Sequence, residues 1–229
     1  MNASCAKVAG LDRGAPVSDP RLRVPSGPIG AHAFRSGPSC PPFARFSETL
    51  ELCALYTERL ELRVVTLETV EAILAGDRPR AERIAGVKLP ESWPGRALIE
   101  RAFGSPYERL RADPASCVWS TRLLIPKDGD GVVVGSVVLN GPPDASGSLG
   151  IAYGVETQSQ GRGYATEGAK AVLEWALAQP SVRRVTATTL PWHTASLRVI
   201  EKLGMRFCEG IDHELLGELS VYERFAPGR

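Results

Sequence analysis

Two glycines, Gly161 and Gly163, stand where a strand pattern gives way to a helix pattern, and that junction constrains the chain more than any other feature. Upstream, residues 148 to 155 alternate: Leu149, Ile151, Tyr153 and Val155 fall on one face, while Ser148, Gly150, Ala152 and Gly154 leave the other almost bare. Downstream, Ala165, Ala169, Val172, Leu173, Ala176 and Leu177 recur at helical spacing, with Glu167, Lys170 and Glu174 at solvent-side positions, until Gln179-Pro180 ends the run. The joint itself reads Gln158-Ser159-Gln160-Gly161-Arg162-Gly163. Such a turn lets main-chain N–H groups converge ahead of a helix N-terminus, which is the positive end of the helix dipole. Without Cβ atoms the two glycines leave a phosphate free to approach, and Arg162 adds a formal charge, so the turn reads as an anion site. Taken alone, a G-x-G is explained as well by chain reversal. Rossmann spacing is not met, because residue 166 is Thr and no early βαβ unit precedes it, which disfavours a dinucleotide. The bare strand face admits either close helix packing or close approach of a ligand.

The rest of the chain frames this junction. Leu60, Leu62 and Val64 alternate as a strand, and Thr66 offers an N-cap to a helix reaching Leu74 and Ala75. Residues 79 to 112 read as one or two short helices broken at Pro90, Trp93-Pro94-Gly95 and Gly104-Ser105-Pro106. Cys117 to Ile125 and Val132 to Leu139 are predicted strands joined by Pro126-Lys127-Asp128-Gly129-Asp130-Gly131 as a hairpin. That loop is too short for a calcium site and lacks the closing Glu. After the glycine junction come a strand over Arg184 to Leu190 and Pro191-Trp192-His193-Thr194-Ala195-Ser196 leading into a helix with Leu197, Ile200 and Leu203 on one face. Gly204 is placed as its C′ cap, and strands follow from Met205 and from Leu219 to Phe225.

Before Arg45 no period is sustained: seven prolines and five glycines occur with neither Trp nor Tyr, which predicts a disordered tail. Its arginines (Arg13, Arg21, Arg23, Arg35, Arg45) share the bias of an organelle transit peptide, but the prolines would break the amphipathic helix such a peptide needs. Residues 47 to 57 carry a short helical pattern at Leu50, Cys53 and Ala54. The expected division is a low-complexity extension over 1–57 and one folded domain over 58–229. Twenty-seven basic and 26 acidic residues give a net charge of +1, without the positive field that nucleic acid usually demands. Five scattered cysteines without C-x-x-C spacing fit a reducing compartment and no metal. With neither a membrane-length apolar run nor a secretory apolar core, the expected location is cytoplasmic.

The runs GVETQSQGRGYATEGAKAVLEWAL (154–177) and RRVTATTLPWHTASLRVIEKLGMRFCEG (183–210) resemble the GCN5-related N-acetyltransferases (GNAT), in particular the branch with ribosomal-protein N-terminal acetyltransferases. The resemblance is dense over those runs, extends in element order from Arg59 to the C-terminus, and leaves out the first 57 residues. It implies an α/β (α+β) fold with a mixed, mostly antiparallel, splayed sheet flanked by helices. It also implies acetyl-CoA as co-substrate, with no metal. The family's Q/R-x-x-G-x-G/A loop falls on Gln158, Gly161 and Gly163, so the implied coenzyme-binding residues are Val155, Gln158, Gln160, Gly161, Arg162, Gly163, Tyr164 and Ala165. Acetyl would pass directly from the thioester to an amine, with a main-chain oxyanion donor near Val155 and an acid for the thiolate.

Two departures bear on the chemistry. The branch's N-x-x-S element reads His193-Thr194-Ala195-Ser196, so Ser196 matches as an acid and His193 replaces the Asn. Where the branch often carries a basic Glu on the strand, Gly150 stands instead. Glu156, His193 and a water chain are the alternatives for the base, and each of the named side chains also has a plain structural reading as a cap or solvated group. The expected acceptor is a protein N-terminus or an amine-bearing small molecule, with residues 79 to 112 and the last hairpin forming its pocket and Trp93, Tyr107 and Trp119 as lining. Nucleic acid and membrane are not expected partners, and a homodimer is left open. The alternative function is a catalytically silent acyl-CoA sensor, motivated by the missing Glu and Asn. A phosphate loop for some other nucleotide is a third reading.

Overall fold

A computed structural model describes residues 54–91, 107–214 and 216–228. The tail over 1–53, including Leu50 and Cys53 of the short helical pattern, and Trp93 of the expected acceptor pocket lie outside the described residues. Chain order is β1 (Leu55–Tyr56), β2 (Leu60–Val64), α1 (Leu67–Leu74), α2 (Arg78–Ala85), β3 (Thr121–Pro126), β4 (Gly135–Leu139), β5 (Ser148–Val155), α3 (Tyr164–Leu177), β6 (Arg184–Thr189), α4 (Thr194–Lys202), β7 (Arg206–His213) and β8 (Gly217–Phe225). Residues 107–112 are also helical.

The strands form one eight-stranded sheet in the order β1-β2-β3-β4-β5-β6-β8-β7, antiparallel throughout except for the β5–β6 pair. This is the mixed, mostly antiparallel sheet with flanking helices that the resemblance implies. Local chemistry sets the helix ends. Thr66 accepts from the Thr69 amide to start α1, and Asp77 accepts from the Arg80 amide to start α2, which Gly86 closes in the left-handed region.

Two apolar clusters lie on the two faces of the sheet. On one, Leu124, Val137, Leu139, Leu149 and Ile151 pack against Val172, Leu173 and Ala176 of α3. On the other, Leu123 and Ile125 pack against Val70 and Ile73 of α1 and Ala81 of α2. Covered on both faces, β3 is buried at every position. Even Arg122 is fully buried, its guanidinium 4.4 Å from the centre of the Trp175 ring. The helix α3 sits close to the sheet because Gly168 has no Cβ to collide with the buried side chain of Leu124.

Three boundaries differ from the sequence reading. Cys117 to Trp119 is not strand: Pro114–Trp119 forms a 3-10 turn whose Asp113 carboxylate accepts from the Ala115 amide, and β3 begins at Thr121. Asp-Pro opens a turn, and that local preference outweighs the β-rich side chains behind it. Val132 to Val134 is not part of β4; Val132 makes only an isolated bridge to Lys88. Leu55 and Tyr56, on the tail side of the expected boundary and within the short helical pattern, are extended and pair with Leu62 and Glu61. Among the described residues no helix is long and apolar enough to cross a membrane.

At Gly135 the strands β4 and β5 approach so closely that an added Cβ would overlap the Gly154 carbonyl and lie 2.9 Å from the Val155 Cα. Main chain on both sides cannot swing away as a side chain can. Gly135→Ala is therefore expected to cost about 1 to 3 kcal/mol, read as a lower urea midpoint at unchanged slope. An unchanged midpoint contradicts this packing.

Candidate functional site

The sheet divides at β5. Its pairing with β4 runs from Ile151 to Val155, but its parallel pairing with β6 covers only Ser148, Leu149 and Gly150. The Gly150 carbonyl accepts from the Asn140 amide, and the Glu156 amide donates to the Val134 carbonyl. By the alternation of a strand, the even-numbered peptide groups therefore face β4, while those of Tyr153 and Val155 face the β6 side. Beyond Gly150 no strand among the described residues pairs with that edge. It is open to an extended ligand arm.

Below the open edge lies the glycine loop. Thr157–Ser159 makes one 3-10 turn, and the Gln160 side-chain amide donates to the Val155 carbonyl at 3.0 Å, fastening the loop to the strand end. Gly161 and Gly163 have φ of +75° and +83°, values that favour glycine. Gly163 is the N-cap of α3, and the first bond of that helix runs from the Glu167 amide to the Gly163 carbonyl at 3.0 Å. The amides of Gly161, Arg162, Gly163, Tyr164, Ala165 and Thr166 consequently find no internal acceptor among the described residues, and no side chain caps them. A Cβ placed on Gly161 would meet nothing within 4 Å, so the space before it is open. Gln158 and the Arg162 side chain are exposed beside it, and Tyr164 is buried beneath. This arrangement suits a diphosphate.

The loop is braced from behind by residues that the sequence reading left out. Glu167, placed there on the solvent side, accepts from Thr57 Oγ1 at 2.6 Å, from the Arg59 amide at 2.9 Å and from Arg59 Nε at 2.7 Å. Arg59 Nη1 donates to the Arg162 carbonyl at 3.0 Å, and the guanidinium lies 5.1 Å from the Tyr164 ring centre. Burial by itself would raise the Glu167 carboxyl, but the bonds from Thr57 and Arg59 outweigh it and hold the group below its ordinary 4.5. Glu174, also read as solvent-side, is paired with Arg224 at 2.8 Å.

Across the split, the Tyr153 phenol lies 3.2 Å from Ser196 Oγ and 3.2 Å from the Ser196 carbonyl, to which it donates. Tyr153 thus spans from β5 to the first turn of α4. Burial pushes its phenol up from the usual 10.0, against a smaller opposite effect of the Ser196 bond. The other expected catalytic residues stand apart from this pair. His193 is the N-cap of α4 through its main chain; its imidazole is exposed, edge-on to Trp192 at 6.2 Å. Glu156 closes the 3-10 turn through its carbonyl, and no hydrogen bond among the described residues joins its carboxylate to Ser196. Over Gly150, where the resembled branch often carries Glu, the side-chain nitrogen of Asn140 lies 2.6 Å from the place a Cβ would take. Of the bare strand face, Gly150 thus packs under a side chain, while Ala152 and Gly154 are exposed. Tyr107 and Trp119 are packing residues: Tyr107 joins the α1 and α2 cluster, and Trp119 packs against Trp175 with the ring centres 5.0 Å apart and the planes tilted by 53°.

Comparison with known proteins gives the family and the fold. A family model described as an acetyltransferase (GNAT) domain matches residues 59–206. The chain is similar to the uncharacterized N-acetyltransferase YjdG of Bacillus subtilis, at 27% identity over 152 residues that cover 66% of this chain and 88% of that protein. In fold it is similar to a GNAT-family acetyltransferase from Bacillus anthracis, with a TM-score of 0.51 at 21% identity over 76% of this chain and 98% of that one. It is likewise similar to the ribosomal-protein-S5-alanine acetyltransferase of Vibrio fischeri, with a TM-score of 0.54 at 15% identity over 76% and 97%.

The Glu167 network carries a pH signature. A carboxyl held low in the folded chain contributes stability that is present above its unfolded value and lost as pH falls through the folded one. The stability difference between the wild type and Glu167→Gln is therefore expected to be constant above roughly pH 5.5 and to shrink below the ordinary carboxylate range. Urea midpoints measured from pH 7 to pH 3 read it. A difference that does not change with pH contradicts the network.

Proposed function

The chain belongs to the GNAT acetyltransferases and is an acyltransferase by that membership, and we propose that it moves acetyl from acetyl-CoA to a primary amine by direct attack in a ternary complex. The acceptor class is a protein N-terminus or a small-molecule amine. The observation that carries the reading is the run of uncommitted amides from Gly161 to Thr166 at the foot of an unpaired strand edge. The thioester supplies the acyl group and a sulfur leaving group. The rest is the work of the chain.

In this reading the amides of the loop hold the diphosphate, with Arg162 adding charge at the mouth. The Tyr153 N–H and C=O pair with the extended arm, and the Val155 amide is the donor for the oxyanion. Ser196 delivers a proton to the departing sulfur and takes one in turn from the Tyr153 phenol 3.2 Å away, which is reprotonated from solvent. A phenol raised by burial is protonated throughout the neutral range. No hydrogen bond among the described residues joins the Glu156 or His193 side chain to this pair, and the reading assigns removal of the amine proton to water at the open face of Ala152 and Gly154. One observation favours the silent-sensor alternative: an amide, not a carboxylate, lies over Gly150, and an amide is no base.

Both functions require coenzyme binding, and only one requires turnover. Coenzyme A at about 100 times its dissociation constant is expected to add roughly 2.7 kcal/mol, a rise of about 5 to 10 °C in Tm. Gly163→Val, which forces a branched residue to a φ of +83°, is expected to abolish that rise. Thiol release from acetyl-CoA over a panel of amines then separates enzyme from sensor. For the amine accepted, Ser196→Ala is expected to lower kcat by about 100-fold with KM little changed, and Tyr153→Phe by less. No shift with coenzyme A contradicts both functions, whereas a shift without release from any amine leaves the sensor.

A further inference from the structure

We propose that Arg59 is a positioning residue for the carrier's diphosphate: fixed by Glu167, it turns the Arg162–Gly163 peptide so that the Gly163 N–H faces the ligand. The inference rests on the coenzyme-binding reading above, but on contacts that lie outside the glycine motif.

In a trans peptide the C=O and the N–H of one unit point in opposite directions. Arg59 Nη1 holds the Arg162 carbonyl at 3.0 Å, toward the turn between β1 and β2. The Gly163 N–H of that same unit is thereby aimed away from Arg59, into the space where the other loop amides are uncommitted. Glycines that let a phosphate approach also leave the peptides between them free to rotate. A rotated unit would present a carbonyl oxygen to an anion. An external brace removes that conformer and lowers the cost of ordering the loop on binding.

The guanidinium is committed on each side. Nε donates to Glu167 Oε2 at 2.7 Å, Nη2 lies 2.5 Å from the same oxygen, and Nη1 serves Arg162. Thr57 Oγ1 and the Arg59 amide complete Glu167 through its other oxygen, so the carboxylate is seated before any ligand arrives. Charge gives the pair a second effect. Glu167 lies in the first turn of α3, one helical turn from the loop, where an unpaired carboxylate would oppose a bound diphosphate. Arg59 cancels that charge while orienting the peptide. A lysine could supply the charge, but it has no planar fork to span the carboxylate and the carbonyl together.

Coenzyme A and pantetheine, which lacks the diphosphate and nucleotide, distinguish this role from general destabilisation. Dissociation constants are measured for both with the full chain, by calorimetry for coenzyme A and by titration in the millimolar range for pantetheine. Arg59→Ala is expected to weaken coenzyme A about tenfold, the scale of one well-made hydrogen bond, with pantetheine unchanged within twofold. Arg59→Lys is expected to behave as Arg59→Ala. If Arg59→Ala does not unfold cooperatively, Arg59→Lys, which keeps the charge beside Glu167, carries the test with the same selective loss expected. Equal loss for both ligands, no loss for either, or a lysine variant equal to wild type overturns the assignment. A wild type that binds pantetheine as tightly as coenzyme A removes the diphosphate reading beneath it, an outcome separate from failure of Arg59 alone.

Discussion

Parallel pairing between β5 and β6 lasts for three residues and then stops, and the site follows from that interruption. A strand held on one side by β4 and released on the other keeps its position while offering its peptide groups to whatever enters. A continuous ladder would have consumed them, and a fully detached strand would have had no fixed place to offer them from. The helix α3 restores rigidity from below, drawn onto the sheet at Gly168 and packed through Val172, Leu173 and Ala176. Its N-terminus therefore stands directly after the released strand end, with the loop between.

Energetically, the brace behind the loop is a device for position more than for stability. An ion pair whose arginine is nearly half exposed contributes little to folding. Its value lies in linking three places distant in sequence: the β1–β2 turn at Thr57 and Arg59, the loop carbonyl of Arg162, and the first turn of α3 at Glu167. Across the split, the Tyr153 to Ser196 contact does the corresponding task, joining β5 to α4 after the strands themselves have parted. The open edge is bounded by these two polar ties and not by apolar packing alone.

What the sequence made legible was local. Glycines at positive φ, a strand of alternating apolar residues and a helix of period 3.6 all leave marks within a few neighbouring residues, so the run from Gln158 to Leu177 could be read directly. The uncommitted amides follow from the same run, since any helix begins with orphan donors. Glu167 could not be read this way. Its spacing is that of a solvent-facing position, and its partners at Thr57 and Arg59 are more than a hundred residues away in the chain. Tyr153 was visible only as part of an apolar face; the fact that its hydroxyl reaches Ser196 depends on how α4 docks. Asn140 over Gly150 was equally hidden, because a glycine that departs from a family pattern does not say what fills the gap. At the strand from Cys117 the error was of the opposite kind: β-rich side chains concealed an Asp-Pro turn that local chemistry decides.

Everything functional here depends on main-chain donors that the folded chain leaves unused, and amide resonances report on those donors individually. In a nitrogen-15 labelled sample titrated with coenzyme A, the resonances of Gly161 through Thr166 should move first and farthest, downfield in the proton dimension, and pantetheine should leave them in place. Shifts confined to other parts of the sheet, with those six amides still, would show that the carrier is held elsewhere and would contradict the account at its base.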